Sequence, residues 1–445
     1  MSRTITTENA TQDPSAPDPS GVDGQGEGLK QRFHRVRQDS MSITALLHAE
    51  DCVIQSMPDA SPIRWHLAHT TWFFETFLLK PLAGYQPVNE AFEYLFNSYY
   101  NSVGAQFPRH RRGLLSRPTM KSVFEYRQQV DAAVIDWLSR QELTAEQREI
   151  LEVGLHHEQQ HQELMLTDVK HLLSCNPIFP AMFDHPVADQ ASPASVEWVG
   201  FEGGVRRIGH DGNGFAYDNE SPRHKVYVHP FRIQSRPVSN REYLAFIQDG
   251  GYRRPEHWLS AGWAAVQEGD WQHPLYWCRR EAEWHEFTLG GLRRLDPAAP
   301  ACHLSYFEAD AYARWSGHRL PTEAEWEIAS QAAAPEQILK GANRFVDSGR
   351  PVHPEYDPTD TAALRELFGC LWQWTSSQYS PYPGYSAPEG ALGEYNGKFM
   401  CNQFVLRGSS CATSANHARR TYRNFFPPEA RWQFTGVRLA SDGAE

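Results

Sequence analysis

TAEQREILEVGLHHEQQHQELMLTDVKHLL, residues 144–173, decides how the first part of the chain folds. Thr144 and Gln147 have the spacing of a capping box, which opens a helix running through His161 towards Leu173. On that helix His157 and His161 are four residues apart, so their side chains share one face and can close on one ion. Such a pair also occurs as an ordinary surface or satisfied core feature, so a third ligand has to come from elsewhere. Working outward, Ser61 and Pro62 form an N-cap and N1 pair that opens another helix, through His66, His69 and Phe74 to Leu79. His66 and His69 lie about 300° apart around its axis, at roughly 100° per residue. Either can face inward, and the spacing does not choose between them.

The helical texture extends from Lys30 to about Leu173, and four such helices joined by loops make a bundle, whose interior is a usual place for a metal site. Before it, residues 1–29 are rich in Ser, Pro, Gly and Asp and read as a disordered tail. After it, the proline-bearing stretch from Asn176 to Ser195 reads as a linker, giving a helical domain over 30–180, a linker over 181–195 and a second domain over 196–445. There the pattern changes to short β-like runs such as Lys225 to Val228, with helices expected around Phe307–Trp315 and Glu323–Ser330. The fold class is therefore α+β in two domains, without an internal repeat.

A net charge of −12 with no basic block leaves nucleic acid and anionic membrane surfaces without electrostatic support. No apolar run reaches the ~20 residues that span a bilayer. Seven scattered cysteines, never in a CxxC pair, argue against a disulfide scaffold and a thiolate zinc site. A reducing, cytoplasmic setting is the expectation, and a homo-oligomer is left open.

His157-Glu158-Gln159-Gln160-His161 also has the form H-E-x-x-H, in which Glu158 would be the general base of a zinc hydrolase. No Gly-x-x-His follows at the metzincin spacing. Three neutral imidazoles with open positions suit a redox metal that gathers two substrates and O₂. Zinc has no redox chemistry, so Fe(II) is the better choice for an oxidative reaction.

Ser61 to Glu75, Phe96-Asn97-Ser98-Tyr99-Tyr100-Asn101 and His157 to Leu164 together resemble the DinB-like domain of the ergothioneine-pathway sulfoxide synthases, the EgtB family. The second half is similar to the formylglycine-generating-enzyme/sulfatase-modifying-factor fold, which is C-type-lectin-like. The matching segments are Asp218 to His224, Arg319 to Glu327, Trp372 to Ser377, Arg407 to Ser410 and Gly436 to Arg438. Formylglycine synthesis would need a cysteine pair after the Arg-Gly-x-Ser segment, where Cys411 stands alone.

The resemblance implies a non-haem Fe(II) enzyme that uses O₂ to join a cysteine-type thiol to the imidazole of Nα-trimethylhistidine (hercynine). It also implies that His69 completes the triad with His157 and His161, leaving His66 structural. Tyr99 and Tyr100 would supply a proton or hydrogen atom, and Gln160 would hydrogen-bond the substrate imidazole. Asn424 would take the hercynine carboxylate, and Phe425 would offer a ring face to the trimethylammonium. One subtype of the family carries Trp then Asp where this chain has Phe425 and Phe426. Without that acid the amino group of γ-glutamylcysteine loses a partner, which favours free cysteine as the thiol.

Arg109 and Arg112 are candidates for clamping the thiol substrate's carboxylate, since a guanidinium fork suits that group. Tyr382 and Tyr385 either line the substrate tunnel or pack a turn around Pro383-Gly384. Selenoneine- and ovothiol-forming enzymes on the same scaffold are the nearest competing readings. The ovothiol enzymes usually add a methyltransferase domain beyond the point where this chain stops.

Overall fold

The computed structural model describes residues 3–4, 28–140, 142–190, 195–334, 337–338 and 352–443. Most of the expected tail and residues 191–194 of the expected linker lie outside the described residues. The chain divides into a helical unit, described over 28–183 together with 387–396, and an α+β unit formed by the remainder. Residues 387–396, expected in the second domain, therefore group with the helices.

The helical unit contains α1 (Leu29–Thr44), α2 (Ile63–Phe74), α3 (Ala91–Phe96), α4 (Met120–Arg140) and α5 (Ala145–Ser174). The capping box at the start of α5 forms as expected: Thr144 Oγ1 accepts from Gln147 N at 3.2 Å, and Gln147 Oε1 accepts from Thr144 N at 3.1 Å. Every residue of α2 is buried, as befits a helix with neighbours all round rather than one exposed face. Gly154 of α5 permits one of those approaches. A Cβ there would stand 2.5 Å from Phe74 Cε1 and 2.9 Å from Phe73 Cε1, inside contact distance for carbon.

The start of α2 departs from expectation. Its N-cap is Pro62 without a side-chain cap. Ser61 is used elsewhere: its N–H donates to Asp168 Oδ2 at 2.8 Å, and its Oγ accepts from Arg112 Nη1 at 2.9 Å. Beyond Phe74 the helix widens into a π-helical turn, Glu75–Leu79. The buried Glu75 ties that turn to its surroundings by accepting from Tyr85 Oη at 2.9 Å, Val88 N at 2.8 Å and Tyr126 Oη at 2.6 Å.

In the α+β unit one four-stranded sheet has the order β1 (Arg3–Thr4), β2 (Trp198–Phe201), β5 (Phe231–Gln234), β13 (Ala440–Asp442). Arg3 and Thr4 pair in parallel with Val199 and Gly200, so this piece of the expected tail is a strand. A second sheet has the order β11 (Asn424–Phe426), β10 (Phe404–Gly408), β9 (Trp372–Gln378), β12 (Thr435–Gly436). β3 (Gly204–Ile208) and β4 (His224–Val228) form a hairpin, and β6 (Trp277–Arg280), β7 (Glu283–Thr288) and β8 (Gly291–Arg294) form a meander.

The expected helices are α8 (Tyr306–Trp315) and α9 (Glu323–Ser330). α6 (Asn240–Gln248) and α7 (Ser260–Glu268) were not foreseen, although Ser239 and Glu242 form a capping box that announces α6. The core around Ile233, Trp326 and Phe368 is crossed by buried ion pairs, Arg407 with Glu327 and Arg419 with Glu220. Among the described residues no helix is long and apolar enough to cross a membrane.

Candidate metal centre

α2 and α5 bring His69, His157 and His161 together, all buried, with one donor atom from each lying within 4.8 Å of the others. His69 Nε2 stands 3.1 Å from His157 Nε2. Ligand bonds of about 2.1 Å set at a right angle place their donors about 3.0 Å apart, so this spacing suits two adjacent positions on one ion. The other ring nitrogens fit the same purpose. His69 Nδ1 lies 2.6 Å from the carbonyl of Phe96, which can only accept, so Nδ1 carries the hydrogen and Nε2 the lone pair. His157 Nδ1 is buried and has no hydrogen-bond partner among the described residues. His161 Nδ1 lies 2.7 Å from His66 Nδ1.

Burial favours the neutral imidazoles that bind metals. It lowers His157 to about 3, against the opposing pull of Glu158. His69 and His161 are held well below the ordinary histidine value by burial and then by their neighbouring histidines.

Glu158 follows His157 on α5, but one residue turns the helix by about 100° and aims it away from the triad. Its carboxylate accepts from Arg37 Nη1 at 2.7 Å, from Ser40 Oγ at 2.6 Å and from Arg127 Nη2. Burial pushes the acid up, but Arg127 and Arg37 outweigh it and bring Glu158 down to about 2. A carboxylate so engaged is not a general base for metal-bound water, and the zinc-hydrolase alternative loses its catalytic residue.

The segment after α3 serves two purposes. The Phe96 carbonyl orients His69, and Tyr99 and Tyr100 follow three and four residues later. Asn97 holds this turn: its Oδ1 accepts from Tyr100 N at 3.1 Å, and its Nδ2 donates to Tyr100 O at 2.9 Å and Gly104 O at 3.0 Å. Tyr100 is fully buried against Trp72 and Phe77, whereas Tyr99 is half-buried with its ring centroid 6.0 Å from that of Tyr395.

Tyr395 is a site residue that the sequence did not reveal. Its ring meets that of His157 at 5.7 Å, and its hydroxyl donates to Gln160 Oε1. Glu394 anchors it by accepting from Asn101 N at 2.9 Å, Ser102 N at 2.8 Å and Ser102 Oγ at 2.6 Å. Residues so far from the bundle in sequence carry no local signal of the contact.

The arginine pair separates. Arg109 is exposed and bonded to the Asp59 carbonyl. Arg112 is buried, with its guanidinium carbon 3.3 Å from the Trp65 ring centroid, and it donates to Ser61 Oγ and to Ser98 Oγ at 3.0 Å. Among the described residues it makes no salt bridge, and Nε has no partner. Burial, then Arg109, depress it well below the arginine value despite Asp168.

Asn424, Phe425 and Phe426 lie in the α+β unit, on β11. Asn424 Oδ1 accepts from Phe425 N at 2.9 Å, and the Phe425 ring stacks on Tyr379 at 4.0 Å. Tyr382 packs in the core under Arg423, with 4.0 Å from guanidinium to ring, and Tyr385 donates to Asp218 Oδ2 at 2.7 Å.

Comparison with known proteins bears on both units. Residues 182–443 match the sulfatase-modifying factor enzyme 1-like domain, and residues 32–165 match the DinB superfamily. The hercynine oxygenase of Mycolicibacterium thermoresistibile is 34% identical over 416 residues, covering 86% of this chain and 88% of that protein. The hercynine oxygenase of Mycobacterium tuberculosis is 31% identical over 433 residues, covering 94% and 99%. The formylglycine-generating enzyme of Thermomonospora curvata is 29% identical over 308 residues, which is 58% of this chain and 98% of that one. With both domains matched in order and the resemblance running through nearly its whole length, the chain belongs to the hercynine oxygenase family, in which a DinB-type helical domain precedes a sulfatase-modifying-factor-type domain.

Proposed function

We propose that the protein is a non-haem Fe(II) sulfoxide synthase that joins cysteine to the imidazole of hercynine with O₂, in a cytoplasmic setting. The observation carrying this reading is the triad, in which three buried imidazoles offer donor atoms to one point while the neighbouring acid is locked in ion pairs elsewhere. Bound there by His69, His157 and His161, Fe(II) would supply the O₂ chemistry and the open positions for two substrates. The overall reaction balances as imidazole C–H plus thiol S–H plus O₂ giving C–S(=O) plus water. One oxygen atom enters the sulfoxide, and the other leaves with both hydrogens.

The remaining residues bind and orient. Gln160 would hydrogen-bond the substrate imidazole, a role supported by its bond to Tyr395, whose ring adjoins His157. Arg112, a buried cation without an acid of its own, is the better of the two arginines for the thiol substrate's carboxylate. Arg109, exposed and bonded to a carbonyl, serves at most as its support. Asn424 and Phe425 would hold the hercynine carboxylate and trimethylammonium. Phe426 packs near Trp432 and offers no carboxylate to an amino group, which supports cysteine over γ-glutamylcysteine.

Anaerobic reconstitution with Fe(II), followed by O₂ uptake and mass analysis with hercynine and each thiol, tests this reading. Uptake with formation of the hercynine–cysteine sulfoxide is expected, with γ-glutamylcysteine the poorer donor. No O₂ consumption with either thiol defeats the proposal, and preference for γ-glutamylcysteine defeats its thiol assignment.

Tyr99 and Tyr100 are proposed as the hydrogen or proton donors, with Tyr99 the larger contributor because its ring adjoins Tyr395 beside His157. Replacing both with Phe is expected to divert turnover so that cysteine sulfinate becomes the main product. An unchanged yield of sulfoxide per O₂ would remove them from the mechanism.

A further inference from the structure

His66 sits on α2 one turn before His69, and Asp168 sits on α5 two turns beyond His161. Both are nearly inaccessible, at 2% and 5% exposure. His66 Nδ1 lies 2.7 Å from His161 Nδ1, and His66 Nε2 lies 3.1 Å from Asp168 Oδ2. The same Asp168 oxygen accepts from Ser61 N at 2.8 Å.

Hydrogen-bond direction along this line is determined by its end. A carboxylate only accepts, so the hydrogen of a neutral His66 is on Nε2. Its Nδ1 then carries the lone pair and must accept, which places the hydrogen of His161 on Nδ1. What remains for the ion is the lone pair on His161 Nε2. The reverse arrangement would aim the His66 Nε2 lone pair at a carboxylate and leave a hydrogen on the ligand atom.

We propose that His66 and Asp168 are positioning residues for the metal centre, fixing the tautomer and ring plane of His161 so that Nε2 is presented to the ion. This rests on the reading of His69, His157 and His161 as ligands. Outer partners of metal-bound imidazoles are usually a carboxylate, a carbonyl or water, and they orient the ring and raise its basicity. Here His69 has the direct form through the Phe96 carbonyl, and His161 has a form lengthened by one imidazole. The extra ring lets α2 contribute both to the inner shell, through His69, and to the support of α5, through His66. Ser61 closes the line by using a backbone N–H at the start of the same helix.

The test uses the full-length apoprotein and Co(II) alone, whose visible absorption reports ligand number and symmetry without turnover. His66→Phe and Asp168→Ala remove the line. His66→Gln and Asp168→Asn keep an acceptor in place. Co(II) affinity is expected to fall about 10- to 100-fold in the first pair, with an altered d–d spectrum, and to recover in part in the second pair. The Co(II)-induced rise in Tm, measured for each variant against its own apo form, separates this effect from general destabilisation. Should Asp168→Ala fail to fold, the His66→Phe and His66→Gln comparison reads the same difference.

Wild-type affinity and spectrum in His66→Phe and Asp168→Ala would overturn the proposal, as would conservative variants that do no better than the disruptive ones. Wild-type protein that binds no Co(II) would instead bring down the ligand assignment, and the positioning role with it.

Discussion

His161→Ala protein is expected to fold, to lose the stabilisation that added Fe(II) or Co(II) gives the wild type, and to be inactive. The triad is buried, and its donors face one another rather than solvent, so removing one leaves two imidazoles that cannot hold an ion against water. A site saturated at a hundred times its dissociation constant contributes about 2.7 kcal/mol to apparent stability, and that increment should vanish. Turnover should fall by at least about three powers of ten, because a bound metal supplies several kcal/mol of activation free energy at about 1.4 kcal/mol per decade. Metal-dependent thermal shift and O₂ uptake check the two halves separately. A variant that keeps a wild-type metal-induced shift would show that the ion binds elsewhere.

The second large effect is on stability. Glu158→Gln is expected to destabilise the helical unit by about 3–5 kcal/mol, because two buried guanidiniums lose the one carboxylate between them. Arg37 retains Asp131 at 2.7 Å, but among the described residues Arg127 retains only neutral oxygens, the Arg37 carbonyl and Thr70 Oγ1. Glutamine fills the space yet lacks the charge and presents an amide N–H beside two guanidiniums, which can only donate. Urea denaturation followed by circular dichroism measures the loss. A zinc-hydrolase general base would behave in the opposite way, with stability kept and turnover lost. A stability change below about 0.5 kcal/mol would count against the ion-pair account of Glu158.

These two residues mark how far local sequence reading reaches. The spacing of His157 and His161 implies a shared face as soon as residues 144–173 are read as a helix, and α5 begins at the capping box that the sequence announces. The third ligand is different. His66 and His69 were both open on spacing, and family resemblance pointed to His69. The structure brings His69 to the triad and sets His66 behind His161, bonded to it. Resemblance left His66 structural, but it could not say that the residue bonds to a member of the triad, because His161 lies 95 positions away.

Glu158 shows the limit of a motif read as a string. H-E-x-x-H is met letter for letter, yet the function of its acid depends on which helices flank that side of α5. Here α1 and α4 place Arg37, Ser40 and Arg127 there, and the charge is consumed structurally. Ser61 is a similar case, since its N-cap propensity is real but the buried Arg112 takes its Oγ, while Asp168 takes its N–H.

The sequence by itself determined the class of each half, the course of α5, the pairing of His157 with His161 and the lack of a basic block or of an apolar run of bilayer-spanning length. Those properties rest on local periodicity, capping and composition, which neighbouring residues decide among themselves. Tertiary structure alone decided that Nε2 of His69 faces Nε2 of His157, which way Glu158 turns, and that Tyr395 joins the helices. Each of these depends on atoms brought together across tens to hundreds of residues. Burial then sets their protonation and hydrogen-bond direction, because a buried polar group is stable only where its partner happens to be.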